Sequence, residues 1–206
     1  LEQGYWPLTL SEGTYDMICH EHVAYYGARQ IKWLADRAGL KVIHGELNQI
    51  NGGSLCVGLA RRDAAFAGTE DAFFQLLRNE TNGLTDRYGA FRDKVLRHRD
   101  ALRQRIRGYR ADGLSVAGYG ASTKGNVLLQ FCGFTPDDIS FMAEINEEKW
   151  GRVCPGTGIP IIPEKEARCR KPDVVLVLPW HWKEAVVASE RAYLQEGGTF
   201  LFPLPL

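Results

Sequence analysis

The residues best suited to chemistry stand together near the start of the chain: His20, Glu21 and His22 in "ICHEH", followed at once by "VAYYG" with Tyr25 and Tyr26. Two of the five histidines flank one glutamate. Imidazole titrates near neutral pH and a neighbouring carboxylate can orient it, so the trio suits proton transfer. If residues 16–22 are extended, side chains alternate, and His20 and His22 share a face while Glu21 points away. A zinc site would need a third ligand. Neither H-E-x-x-H nor a Cys or His pair of matching spacing occurs, so no metal is assigned. The plain structural alternative is a polar loop with satisfied histidines.

A second concentration is "GYGASTKGN", which holds Gly118, Gly120, Ala121, Ser122, Lys124 and Asn126. It follows an expected strand and opens an expected helix, so its N–H groups form a cradle for phosphate or carboxylate. A dinucleotide fingerprint would put its third glycine at Thr123, but Gly125 comes two residues late with Lys124 between. An ammonium and a hydroxyl at a helix start serve an anion instead. Glu144 or Asn146, ending the next strand, is placed to receive a ribose hydroxyl, and Lys149 and Trp150 share that loop. "LPWHWKE" puts Pro179, Trp180, His181, Trp182 and Lys183 at the top of another strand, where open α/β sheets bind ligands. Trp180 there either stacks on a base or packs over the sheet end. Together these residues suit a nucleotide or a diphosphate sugar; a glycine turn serving only strand-to-helix packing is the alternative.

The elements that must position these groups fall into three stretches. "ARQIKWLADRAGL" has helical spacing and ends at Gly39, and "LKVIHGEL" and "SLCVGLA" read as strands joined by Asn51, Gly52 and Gly53. The chain's first residues read as a strand end followed by an active loop. From about Thr69 to Tyr109 no strand signal appears, and one long or two consecutive amphipathic helices are expected, with His98 on the solvated face. Beyond Gly113 strands and helices alternate: "LSVAG", "NVLLQFC", "DISFMAE", "GIPII", "DVVLVL", the helix "KEAVVASERAYLQE" and a last strand "GTFLFPL". That order predicts a doubly wound parallel sheet covered on both faces.

Composition narrows the partners. The chain has 206 residues, 45% hydrophobic, with 25 Lys and Arg against 25 Asp and Glu. No global field favours nucleic acid or an anionic membrane. No apolar run nears the roughly 20 residues of a membrane span. Five cysteines, widely spaced and without C-x-x-C, argue against a disulfide framework, so a cytoplasmic location is expected. The start at Leu1, without Met, suggests a piece of a longer protein.

"YDMICHEHVAYY", "NGGSLCV", "GYGASTKGNVLL", "PGTGIPI" and "LPWHWKE" stand in an order and spacing that resemble the C-terminal portion of SAM-dependent C-methyltransferases of nucleotide-linked keto sugars. The resemblance covers nearly the whole chain. It implies an α/β fold: the C-terminal end of a class I methyltransferase sheet over residues 1–62, a helical connection over 63–112, and a Rossmann-like domain over 113–206 that binds the substrate. It also implies His22 as the base, Glu21 orienting it or contacting substrate, His20 supporting the oxyanion, and Tyr25 and Tyr26 as wall residues. The cofactor it implies is SAM, bound mainly by a part of the protein absent from this chain. A nucleotide sugar or related carbonyl compound is the implied partner, and a homo-oligomer is compatible with it. One departure is Cys19, where sugar-modifying members tend to have tyrosine; a thiol lacks a phenol's reach, which leaves the substrate open. A nucleotide-binding module without catalysis and an NAD-dependent oxidoreductase domain are the alternatives.

Overall fold

The computed structural model describes residues 1–65, 71–80 and 84–206. The expected helical start at Thr69 lies outside them. The chain divides into two compact units, Leu1–Lys94 and Val95–Leu206.

In the first unit β1 (Glu2–Gly4), β2 (Leu40–Asn48) and β3 (Ser54–Arg61) form an antiparallel sheet in the order β1-β3-β2. The β2-β3 turn uses φ angles of 56°, 84° and 123° at Asn51, Gly52 and Gly53, which reverse the chain within a few residues. Pairing runs from Leu40↔Arg61 to Asn48↔Ser54, with an irregularity between Val42 and His44. The helix α1 (Trp6–Glu12) occupies part of the segment expected as loop. Pro7 in its first turn gives up an N–H that would have no intrahelical partner there. Helix α2 (Ala28–Arg37) turns Ala28 and Ile31 inward, where they join Tyr5, Val42, Leu55, Val57 and Phe73 in the core. Phe73 lies on α3 (Asp71–Asn79). The division between units falls inside α4 (Leu84–Ala111).

In the second unit β4 (Val116–Tyr119), β5 (Met142–Glu144), β6 (Ile161–Pro163), β7 (Val174–Val177) and β8 (Thr199–Leu201) form a parallel sheet in the order β6-β5-β4-β7-β8. The helices between strands are α5 (Thr123–Phe131), α6 (Glu164–Arg170), α7 (Lys183–Ser189) and α8 (Arg191–Gln195). The strand order reverses direction between β4 and β7, so a crevice opens beyond their carboxyl ends. Its walls are the β4-α5 turn and the segment after β7.

Three details differ from the sequence expectation. The helix expected over 183–196 is interrupted at Glu190, whose carboxylate pairs with Arg168 on α6. The last strand pairs only over Thr199–Leu201, since Pro203 has no N–H for a ladder. His98, expected on a solvated face, is half-buried and bonded to the Pro203 backbone, and burial lowers its pKa despite that bond. Among the described residues, no helix is long and apolar enough to cross a membrane.

Candidate functional site

The His20–Glu21–His22 segment is a turn. A short 3-10 helix, Tyr15–Met17, leads into it, and the His22 N–H donates to the Cys19 carbonyl at 3.1 Å. The extended geometry expected for residues 16–22 is therefore corrected, and His20 and His22 do not share a strand face. His20 and Glu21 are exposed, while His22 is partly buried and folds back so that Nδ1 lies 2.7 Å from the Met17 carbonyl oxygen. Cys19 is buried and close enough to Tyr25 that its charge, after burial, helps to raise the Tyr25 pKa.

Tyr25 and Tyr26 serve different ends. The Tyr25 ring meets the His22 ring edge-on at 6.3 Å and 82°, and on its other contact lies 4.7 Å from Trp6 at 40°. Trp6 in turn touches Tyr88 and Phe91 of α4 at 6.3 and 6.0 Å, and its Nε1–H donates to the Tyr88 hydroxyl at 3.0 Å. Tyr26 packs against the core, and its carbonyl accepts the Trp6 N–H at 3.0 Å. Tyr25 thus adjoins the imidazole, and Tyr26 supports the frame. None of Trp6, Tyr88 and Phe91 was read from the sequence as a site residue; the Trp-Pro pair at the start of a helix was the available signal for Trp6.

The glycine turn of the second unit is built tightly. Gly118 belongs to β4, donates its N–H to the Phe141 carbonyl at 2.8 Å, and has no room for a side chain beside Met142. Gly120 has φ 85°, and a Cβ there would stand 2.7 Å from the Pro179 ring, so only glycine lets the turn and the post-β7 segment approach this closely. Ser122 is the N-cap of α5, its Oγ accepting the Gly125 N–H at 3.1 Å. Lys124 lies in the first turn and is near enough to His181 to lower its pKa, after burial as the larger cause. Asn126 Oδ1 and His181 Nδ1 are buried without a hydrogen-bond partner among the described residues.

Glu144, offered from the sequence together with Asn146 as a ribose partner, faces the protein. It is 6% exposed. One oxygen accepts the Ala121 N–H at 2.9 Å, and the other accepts the N–H groups of Ile145 and Asn146 at 2.9 and 3.0 Å. Burial alone would raise its pKa; those N–H groups and the Lys149 ammonium outweigh burial and hold it low. Lys149 Nζ donates to the Ala121 carbonyl at 2.9 Å and reaches Glu144 at 3.4 Å. Asn146 Oδ1 caps the turn Glu147–Lys149 by accepting the Glu148 N–H at 3.0 Å. Ala121, Asn146 and Lys149, all expected to touch ligand, therefore meet one another here. With both oxygens taken up by backbone N–H groups and Lys149, Glu144 is not turned outward to receive an adenosine ribose, so it does not fit that role toward SAM or NAD.

Beyond β7 the short turn Trp180–Trp182 puts alternate indoles on opposite sides: Trp180 is 7% exposed and Trp182 61%. Trp180 consequently packs at the sheet end, and the indole available for stacking is Trp182. A cavity of about 220 Å³ opens elsewhere in this unit, between α6 and α8, lined by Tyr119, Ala143, Ala167, Tyr193 and Phe200 among others. Glu164, Arg168 and Glu190 also line it, and of the candidate residues only Gly118 borders it, so it lies apart from the groups considered above. Among the described residues, no three His, Cys, Asp or Glu side chains gather as a metal site requires.

The chain is similar to known proteins over most of its length. Residues 49–205 match a family model described as the C-methyltransferase C-terminal domain. The chain is also 34% identical over 199 residues to C-methyltransferase NovU of Streptomyces niveus. That alignment covers 95% of this chain and 47% of NovU, so the chain spans about half the length of this curated relative.

Proposed function

The chain belongs to the C-methyltransferase C-terminal domain family, and from that premise we propose that it supplies the base and the substrate-holding sheet of a C-methyltransferase acting on a nucleotide-linked keto sugar. Carbon beside a ketone becomes nucleophilic only when a proton leaves it, and the charge that then gathers on the ketone oxygen needs a donor. His22 takes the proton, Glu21 orients the substrate or the base, and His20 supports the oxyanion. Lys124 and the α5 N-terminus hold the diphosphate, and Trp182 stacks on the nucleobase. SAM is the source of an electrophilic methyl in this chemistry, and no described residue is assigned to hold it.

The observation that carries the reading is the partly exposed imidazole of His22 beside Glu21 on a turn, in a chain of this family. Titration calorimetry of the chain with a nucleoside diphosphate sugar, with SAM and with NAD tests the binding half: heat is expected for the first alone. In the complete transferase, His22→Ala should lower methyl transfer by about 100-fold or more, the scale of general-base catalysis, with substrate affinity nearly unchanged. An undiminished rate would return the histidines to a structural role.

A further inference from the structure

We infer that the Met17 carbonyl fixes His22 in the tautomer with its proton on Nδ1, and that Trp6 is a positioning residue that holds the imidazole plane through Tyr25. The consequence for catalysis rests on the base role proposed above; the tautomer does not.

A carbonyl oxygen offers lone pairs and no hydrogen. At 2.7 Å from that oxygen, Nδ1 must bring the proton, because two facing lone pairs would repel at that distance. In the neutral ring Nε2 then carries the free lone pair and is the atom able to accept a proton. The carbonyl is itself well placed. Met17 is 8% exposed, its N–H donates to the Thr14 carbonyl at 3.3 Å, and the following N–H, from Ile18, donates to the Tyr15 carbonyl at 2.9 Å. Its side chain fills the space over Gly4, where any Cβ would collide with the methyl end. The His22 N–H bond to the Cys19 carbonyl fixes the root of the imidazole.

One hydrogen bond still leaves the ring free to rock about it. The edge-on contact with Tyr25 limits that motion, and Tyr25 is limited by its tilted contact with Trp6. Trp6 is anchored at its far side by the bond from Nε1 to the Tyr88 hydroxyl and by Phe91. Every member of this series lies in the first unit. An indole has no acid or base role at neutral pH, so Trp6 acts on the imidazole by packing, through Tyr25.

The test is nitrogen-15 NMR of the chain with labelled histidine, at about pH 8.5, two units above the ordinary imidazole value. The His22 pair is identified as the one missing from His22→Gln. The expected spectrum has Nδ1 in the proton-bearing range and Nε2 in the lone-pair range; the opposite pattern or an even mixture overturns the assignment. Trp6→Leu should move the His22 signals toward a mixture of tautomers, and Trp6→Phe should restore them, with the same circular dichroism throughout. Tyr25→Leu gives the same reading should Trp6→Leu fold poorly. His22 signals untouched by loss of the Trp6–Tyr25 contact overturn the positioning role. In the complete transferase, Trp6→Leu should lower kcat about threefold to tenfold, the worth of an aromatic pair, with KM within about twofold; a loss confined to KM also overturns it. Because the spectrum is read on the chain without substrate or SAM, its outcome stands apart from that of the transfer assay.

Discussion

Glu80→Gln probes how the first unit holds both flanks of the His22 turn. Glu80 is 7% exposed. Its Oε1 accepts the Tyr5 hydroxyl and the Ala28 N–H, each at 2.6 Å, and its Oε2 accepts the Arg29 N–H at 3.0 Å. Ala28 and Arg29 open α2, where N–H groups have no intrahelical partner and the helix dipole favours negative charge. Gly27 makes the approach feasible, since a Cβ there would lie 2.8 Å from Oε2. Glutamine keeps one acceptor for Tyr5 and Ala28 but turns an amide donor toward the Arg29 N–H. One hydrogen bond to a charged group is lost, worth about 1.5–3 kcal/mol, with about 0.3–1 kcal/mol of dipole interaction. The expected loss is about 2–4 kcal/mol. Hydrogen exchange is the suitable assay because it reports each unit separately. The α2 amides should exchange about 30-fold faster or more, at tenfold per 1.4 kcal/mol, while α5 amides keep their rate. Equal exchange in α2 would refute the capping role. Tyr5 precedes Trp6 and Ala28 follows Tyr26 and Gly27 closely, so the same variant should also blur the His22 signals.

Two further outcomes follow from the second unit. Gly120→Ala forces an alanine to φ 85° against Pro179; the left-handed backbone alone costs about 1–2 kcal/mol, so the thermal midpoint of this unit should fall, and an unchanged midpoint would contradict the close approach. His98 and His181 both have pKa values held below the ordinary 6.5, chiefly by burial. Between that value and the lower folded values the unfolded chain binds more protons, so stability should decline as pH falls below about 6.5. Urea midpoints across this range should show the slope, His98→Gln with His181→Gln should flatten it, and a slope retained in that variant would assign it elsewhere.

The parallel sheet was legible because buried strands write themselves plainly: "VVLV" at Val174–Val177 can satisfy both faces only inside a covered sheet. The glycine turn and the β2-β3 hairpin were legible for a similar reason, since few residues accept their φ angles. The orientation of side chains at the sites was not. Strand alternation misplaced His20 and His22 because a 3-10 turn at Tyr15–Met17 bends the chain just before them, and no residue there announces it. Glu144 ends a strand, where an acid can face outward to a ligand or inward to its own turn; spacing is identical in the two cases, and only the positions of Ala121 and Lys149 distinguish them. Whether Trp180 packs or stacks was left open by the sequence, and the phase of one short turn decides it by burying Trp180 and exposing Trp182.

The latch of Lys149 and Glu144 across both backbone atoms of Ala121 means that the β4-α5 turn is rigid before anything reaches it. A molecule settling at Ser122 and Lys124 would freeze little chain of its host, so its affinity would be spared an ordering entropy that flexible phosphate loops must surrender. Severing the latch should accordingly appear as a less favourable binding entropy at nearly constant contact enthalpy.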